Sequence, residues 1–193
     1  MSETSEIFAS FTSHAKRAVV DAQRGARALG HPHVGTAHLL MALVHQKRCE
    51  HDHHSLRALR AIGLTCERIC PDVVRALGER GPAPDERIPA TPTHRKVVAA
   101  AKALSRIRQD EFVCTGHLLL GMAHQLASDP PAPASTMFRR KAHLQDPAFY
   151  DIAQRLLIDA AGSLERVRGA VSGTAHAATP DSAPGYCSPA QCG

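Results

Sequence analysis

The residues of this chain best suited to chemistry are its 13 histidines and its six cysteines, Cys49, Cys66, Cys70, Cys114, Cys187 and Cys192. One run holds Cys49, His51, His53 and His54, with Cys66 and Cys70 downstream. Thiolates and imidazoles of this kind are zinc ligands. Cys66 and Cys70 are four apart and so share a helix face. The spacing is none of the usual Cys-x-x-Cys knuckles. Exposed histidines and semi-buried cysteines are therefore the preferred reading, and no metal and no cofactor is assigned. His38 and His117 stand at matched places in two similar segments, which suggests paired general bases. Packing or hydrogen bonding within each segment explains them more simply. The end of the chain carries Thr179, Ser182, Cys187, Ser188 and Cys192. Hydroxyls and thiols so placed could close rings, as in a precursor whose C-terminal peptide is modified and released. The preferred alternative is a disordered end with a redox-labile cysteine pair.

Other chemistry is missing from the sequence. No G-x-x-x-x-G-K-[ST] loop cradles nucleotide phosphates, and no His-Glu-x-x-His or Ser-His-Asp order occurs. No catalytic residue is assigned and no enzyme is expected. The formal net charge of +5 and the pI of about 9.1 are mildly basic. Lys and Arg alternate with Asp and Glu, which describes a solvated surface and not a nucleic-acid interface. No apolar run reaches the ~18 residues of a membrane span. The start, MSETSEIFASF, lacks the basic and apolar stretches of a secretory signal. A cytoplasmic location with reduced cysteines is therefore expected. Hydrophobic residues make up 44% of the chain and aromatics only 4%, with no Trp. Such a core must be built from Ala, Leu, Val and Ile, which suits close-packed helices.

The elements that would position these residues come in two copies. Thr36-Ala37-His38-Leu39-Leu40 aligns with Thr115-Gly116-His117-Leu118-Leu119. The same register matches Thr12 with Thr91, Val19 with Val98, Ala22 with Ala101, Arg27 with Arg106, Val34 with Val113 and His45 with His124. Glu67-Arg68-Ile69 then matches Glu165-Arg166-Val167 in a wider register, so the second copy carries an insertion between its second and third helices. The insertion falls in a proline-rich stretch that reads as a loop. Each copy reads as four helices. Thr12 caps the first, with Ala15, Val19, Ala22, Ala26 and Leu29 at helical spacing before Gly30 and Pro32 stop it. Thr36 is expected to cap the second, Ser55 to Ala61 forms a short third, and Thr65 caps a fourth running to about Leu77 with Pro71 inside. In the second copy Thr91 precedes Pro92 at the first helical position, and Thr115 is expected to cap the next helix. Helices from Tyr150 to Ala161 and from Leu164 to Val171 complete the set.

The segments FTSHAKRAVVDAQRGARALGHPHVGTAHLLMALV and IPATPTHRKVVAAAKALSRIRQDEFVCTGHLLLGM resemble the Clp repeat domain, the N-terminal double-repeat domain of Clp/Hsp100 unfoldases, ClpC type. The resemblance implies an all-α fold in which two pseudo-symmetric four-helix repeats form one compact domain. That domain would span 8–173, with repeat one at 8–78, a linker at 79–90, repeat two at 91–172 with an inserted loop at 127–147, and a disordered tail at 174–193. It implies recruitment of substrates and adaptors to an ATPase ring that feeds a peptidase chamber. The ATPase modules are not present in this sequence. In ClpC-type domains a Glu in each repeat binds the guanidinium of phosphorylated arginine. Ala37 and Gly116 stand there in this chain, so that route should be lost. A second family surface takes hydrophobic peptides. Phe8 matches one of its aromatics, Lys16 and Arg95 match its flanking cations, and Ala90 stands where another aromatic would be. These four residues are the expected peptide-binding site, with the basic loop at Arg139, Arg140 and Lys141 as the next candidate. The expected function is non-enzymatic binding within the Clp proteolysis system, as adaptor, decoy or regulator. The expected partners are peptide or protein substrates and Clp ATPase or protease components, not nucleic acid or membrane.

Overall fold

The computed structural model describes residues 8–45, 54–78, 88–128 and 152–175. Eight helices lie wholly within them: α1 (Ser13–Ala28), α2 (Thr36–Val44), α3 (His54–Ala61), α4 (Cys66–Leu77), α5 (Pro92–Ile107), α6 (Thr115–Ser128), α7 (Ile152–Ala161) and α8 (Leu164–Ala175). The first four and the last four are the two copies of the repeat. Two helices run past their expected ends. Ala127 and Ser128, expected in the loop, continue α6, and Thr174 and Ala175, expected in the tail, continue α8. Residues 79–87, 129–151 and 176–193 lie outside the described residues. With them go Arg139, Arg140 and Lys141 and the tail residues Thr179, Ser182, Cys187, Ser188 and Cys192. Cys49, His51 and His53 lie outside them too.

The first helix of each repeat begins as its sequence says. The Ala15 N–H donates to Thr12 Oγ1 and the His94 N–H to Thr91 Oγ1, each at 3.2 Å. Each hydroxyl satisfies one of the amides a helix start leaves unpaired. The second helices start differently. Thr36 and Thr115 are their first helical residues, not their caps. Gly35 caps α2, and the Cys114 carbonyl accepts from the His117 and Leu118 N–H groups at the start of α6. The capping side chain comes from three residues on. The Gly35 N–H donates to His38 Nδ1 at 3.0 Å and the Cys114 N–H to His117 Nδ1 at 3.2 Å. Imidazole here fills the place that Glu or Gln takes in a capping box. Pro71 is absorbed within α4, which runs on to Leu77.

Packing interlocks the repeats. Within each, the first helix lies on the second and the second touches the fourth. Across them, α3 packs on α6 and α8, and its counterpart α7 packs on α2 and α4. Neither repeat therefore closes its core alone. The buried stripe of α1 is Ala15, Ala18, Val19, Ala22 and Ala26, small enough for a neighbouring helix to approach closely. Leu39, Leu40 and Leu43 from α2 and Leu118, Leu119 and Met122 from α6 fill the centre. Each such side chain contributes about 1.5–3 kcal/mol by burial. Among the described residues no helix is long and apolar enough to cross a membrane.

Two short crossings also tie the repeats together. Phe11 bridges to Val113 and Val34 bridges to Ala90, both in parallel sense. The Thr12 N–H reaches the Val113 carbonyl at 3.0 Å, and the Val113 N–H reaches that of Ser10 at 2.8 Å. In the second crossing the Val34 N–H reaches the Pro89 carbonyl and the Thr91 N–H that of Val34, each at 2.9 Å. Phe11 and Ala90 are equivalent positions of the two repeats, as are Val34 and Val113, so the two crossings are images of one another.

Candidate functional site

The four expected peptide-binding residues sit at or beside these crossings. The Phe8 ring meets Phe11 edge-on, with centroids 5.2 Å apart and an interplanar angle of 74°. Phe11 belongs to the core, whereas Phe8 is half-buried above it. Lys16 and Arg95 occupy matching first-turn positions of α1 and α5, their N–H groups on the Thr12 and Thr91 carbonyls. Both side chains are exposed. Ala90 is half-buried at the second crossing. Its counterpart in the first repeat is Phe11, not Phe8. The position matching Phe8 is Arg87, outside the described residues. One crossing thus carries a pair of aromatic rings, and the other a methyl group where its image carries a ring.

Ala37 and Gly116, where the resemblance implies carboxylates, are closed off by packing. Ala37 is 1% exposed. A Cβ on Gly116 would lie 3.1 Å from His54 Cβ and 3.4 Å from Val171 Cγ1. The third helix of the first repeat and the last helix of the second cover this place. Neither position can present an acidic side chain to a ligand without moving its packed neighbours.

His38 and His117 are fully engaged in structure. His38 Nε2 lies 2.8 Å from His31 Nδ1, and His31 Nε2 lies 2.7 Å from the Gly78 carbonyl oxygen. The ends of this relay fix its protons. An amide N–H at Gly35 can only donate and a carbonyl at Gly78 can only accept. Both rings are therefore neutral with the hydrogen on Nε2. The relay joins the start of α2 to the end of α4. Burial, reinforced by the neighbouring His31 and His94, pushes His38 down to about 3. In the second repeat Asp110 replaces His31, and His117 Nε2 donates to its Oδ2 at 3.0 Å. Burial lowers the His117 pKa, with Asp110 opposing. Neither ring is a poised base.

A different cluster emerges only in three dimensions. His45, the C-cap of α2, lies against Cys66 and Cys70 at the start of α4. His45 Nε2 is 3.3 Å from Cys66 Sγ and 3.1 Å from Cys70 Sγ, and the two sulfurs are 3.3 Å apart. Burial, then the Cys66 thiol, pushes Cys70 up to about 12. His54, grouped with these cysteines on sequence spacing, instead packs beside Gly116. It takes no part in this group.

Residues 10–129 match the family described as the Clp repeat (R) N-terminal domain. The chain belongs to that family. Over 119 residues this Clp N-terminal domain is 34% identical to the negative regulator of genetic competence ClpC/MecB of Bacillus subtilis (strain 168). The match takes in 62% of this chain but only 14% of that relative's length. Among solved structures, the N-terminal domain of the chaperone ClpD from Arabidopsis thaliana superposes with a TM-score of 0.57 at 19% identity. That match covers 86% of this chain and 97% of that one. The Hsp104 N-terminal domain from Candida albicans gives 0.61 at 13% identity, over 88% and 93% of the two chains. At such identities the structures establish the Clp N-terminal fold and nothing finer.

Proposed function

We propose that this Clp N-terminal domain is a non-enzymatic peptide- and protein-binding module of the Clp proteolysis system, acting as adaptor, decoy or regulator of substrate recognition. The observation that carries the reading is the half-buried Phe8 ring on Phe11, with the Lys16 cation one turn beyond Thr12 and Arg95 in the matching place of the second repeat. An aromatic anchor with exposed cations at the starts of both repeats suits an apolar peptide with acidic flanks. The smaller Ala90 makes the second half of such a groove shallower. The partners in this reading are substrate or adaptor segments and Clp ATPase or protease components. Fluorescence anisotropy with labelled apolar peptides tests it on wild type, Phe8→Ala, Lys16→Ala and Ala90→Phe. Loss of the Phe8 anchor should weaken binding by about 1–3 kcal/mol, and loss of the rim cation by less. Ala90→Phe should tighten it. Four indistinguishable affinities would move the ligand elsewhere on the domain.

A further inference from the structure

We propose that His45, Cys66 and Cys70 form a zinc site that staples the end of α2 to the start of α4. The three ligand atoms already lie within 4.8 Å of one another, one on the C-cap of α2 and two on α4, which packs against α2. Zn–S and Zn–N bonds of about 2.3 and 2.0–2.1 Å in tetrahedral geometry set ligand-to-ligand edges on the order of 3.5–3.8 Å. The observed edges are 3.3, 3.1 and 3.3 Å. Each opens by a few tenths of an ångström to admit the ion. His45 is exposed and both cysteines are half-buried, so most of this movement falls to the imidazole at the surface. The exposed side leaves the fourth position to water. On binding, the two thiols lose their protons to solvent and the imidazole gives its Nε2 lone pair, so the divalent ion and two thiolates balance in charge. Two sulfurs and a nitrogen select zinc over magnesium or calcium, which take oxygen ligands.

Comparison of the two repeats separates this cluster from ordinary packing. The second repeat keeps the histidine as His124, but at the positions of Cys66 and Cys70 it has Leu164 and Arg168. The same scaffold thus forms with unrelated side chains at both places. The thiol pair is an addition to the first repeat, not a demand of the fold.

The test uses the full chain, reduced and stripped of metal, titrated with Co²⁺ alone and then with Zn²⁺ alone. One Co²⁺ per chain should bind with a thiolate-to-cobalt charge-transfer band, be displaced by one Zn²⁺, and the zinc form should melt at a higher temperature. Cys66→Ser and Cys70→Ser should each lose the band, and His45→Ala should bind at least tenfold more weakly. Cys114→Ser should behave as wild type. A band that survives in the Cys66→Ser/Cys70→Ser double variant would overturn the proposal, because the ion would then sit on other cysteines. Should a variant fail to fold, alkylation of the wild type decides. Zinc must slow modification of Cys66 and Cys70 above all other cysteines, and equal rates with and without zinc would count against the site.

Discussion

At the end of α5, Gln109 holds a φ of 59°, in the left-handed region, where its counterpart Gly30 at the end of α1 holds 68°. Both helix ends close in the same way, the His31 N–H on the Ala26 carbonyl and the Asp110 N–H on that of Ser105, each at 2.9 Å. A side chain is strained in this conformation and glycine is not. Gln109→Gly should relieve about 1–2 kcal/mol of strain against about 0.5–1 kcal/mol of entropy that glycine adds to the unfolded chain, a net gain of about 0.5–1 kcal/mol. A raised denaturation midpoint checks it. The histidines make a second residue-level prediction. In the unfolded chain each titrates near 6.5. In the native domain burial lowers the pKa of His38, His94 and His117. Above pH ~6.5 both states are neutral and these groups leave stability unchanged. Below it the unfolded chain takes up protons that the native one refuses. Stability should then fall as the pH drops, for His38 by about 1.4 kcal/mol per pH unit until the pH nears 3, with His94 and His117 adding to the fall in the same direction. Urea midpoints measured from neutral to mildly acidic pH should fall steadily, whereas a flat profile would contradict the neutral relay.

Among the described glycines, the one with least room is Gly121, where α6 meets α5. A Cβ there would lie 2.6 Å from the Val97 carbonyl oxygen and 2.9 Å from the Ala101 nitrogen, both backbone atoms that cannot turn aside. Gly121→Ala should cost about 1–3 kcal/mol by forcing the helices apart, read as a lower melting temperature. Gly169→Ala, where an added Cβ meets nothing within 4 Å, serves as the control. How much of this is legible in the sequence follows from the range of each interaction. Thr12 and Thr91 can be read as caps because each hydroxyl lies within one turn of the amide it satisfies. Thr36 and Thr115 mislead for the same local reason. A Thr before an apolar run looks like a cap, and nothing nearby signals that a histidine does the capping from inside the helix. His45 escapes a reading by spacing because its partners lie on another helix, far along the chain. Spacing within one helix shows that Cys66 and Cys70 share a face, but not what that face meets.

For the whole molecule, duplication explains the architecture, and the exchange between copies explains why it is one domain. Each repeat's third helix is buried on the other repeat, and each crossing pairs a segment of one copy with a segment of the other. The repeat register predicts matched elements, but sequence identity between copies carries no information about which copy an element packs against. The same exchange sets the start of each repeat at its own crossing, Phe8 and Lys16 by that of Phe11 with Val113, Ala90 and Arg95 by that of Val34 with Ala90. The chain spans only 14% of the length of the ClpC/MecB relative, so recognition is the part of that system proposed for it. The most direct measurement is amide chemical-shift mapping during titration with an apolar peptide. Shifts centred on Phe8 to Thr12 and on Ala90 to Arg95, saturating together, are the expected result. Shifts centred on Ala37 and Gly116, with Phe8 and Ala90 unmoved, would contradict a peptide-binding surface at the crossings.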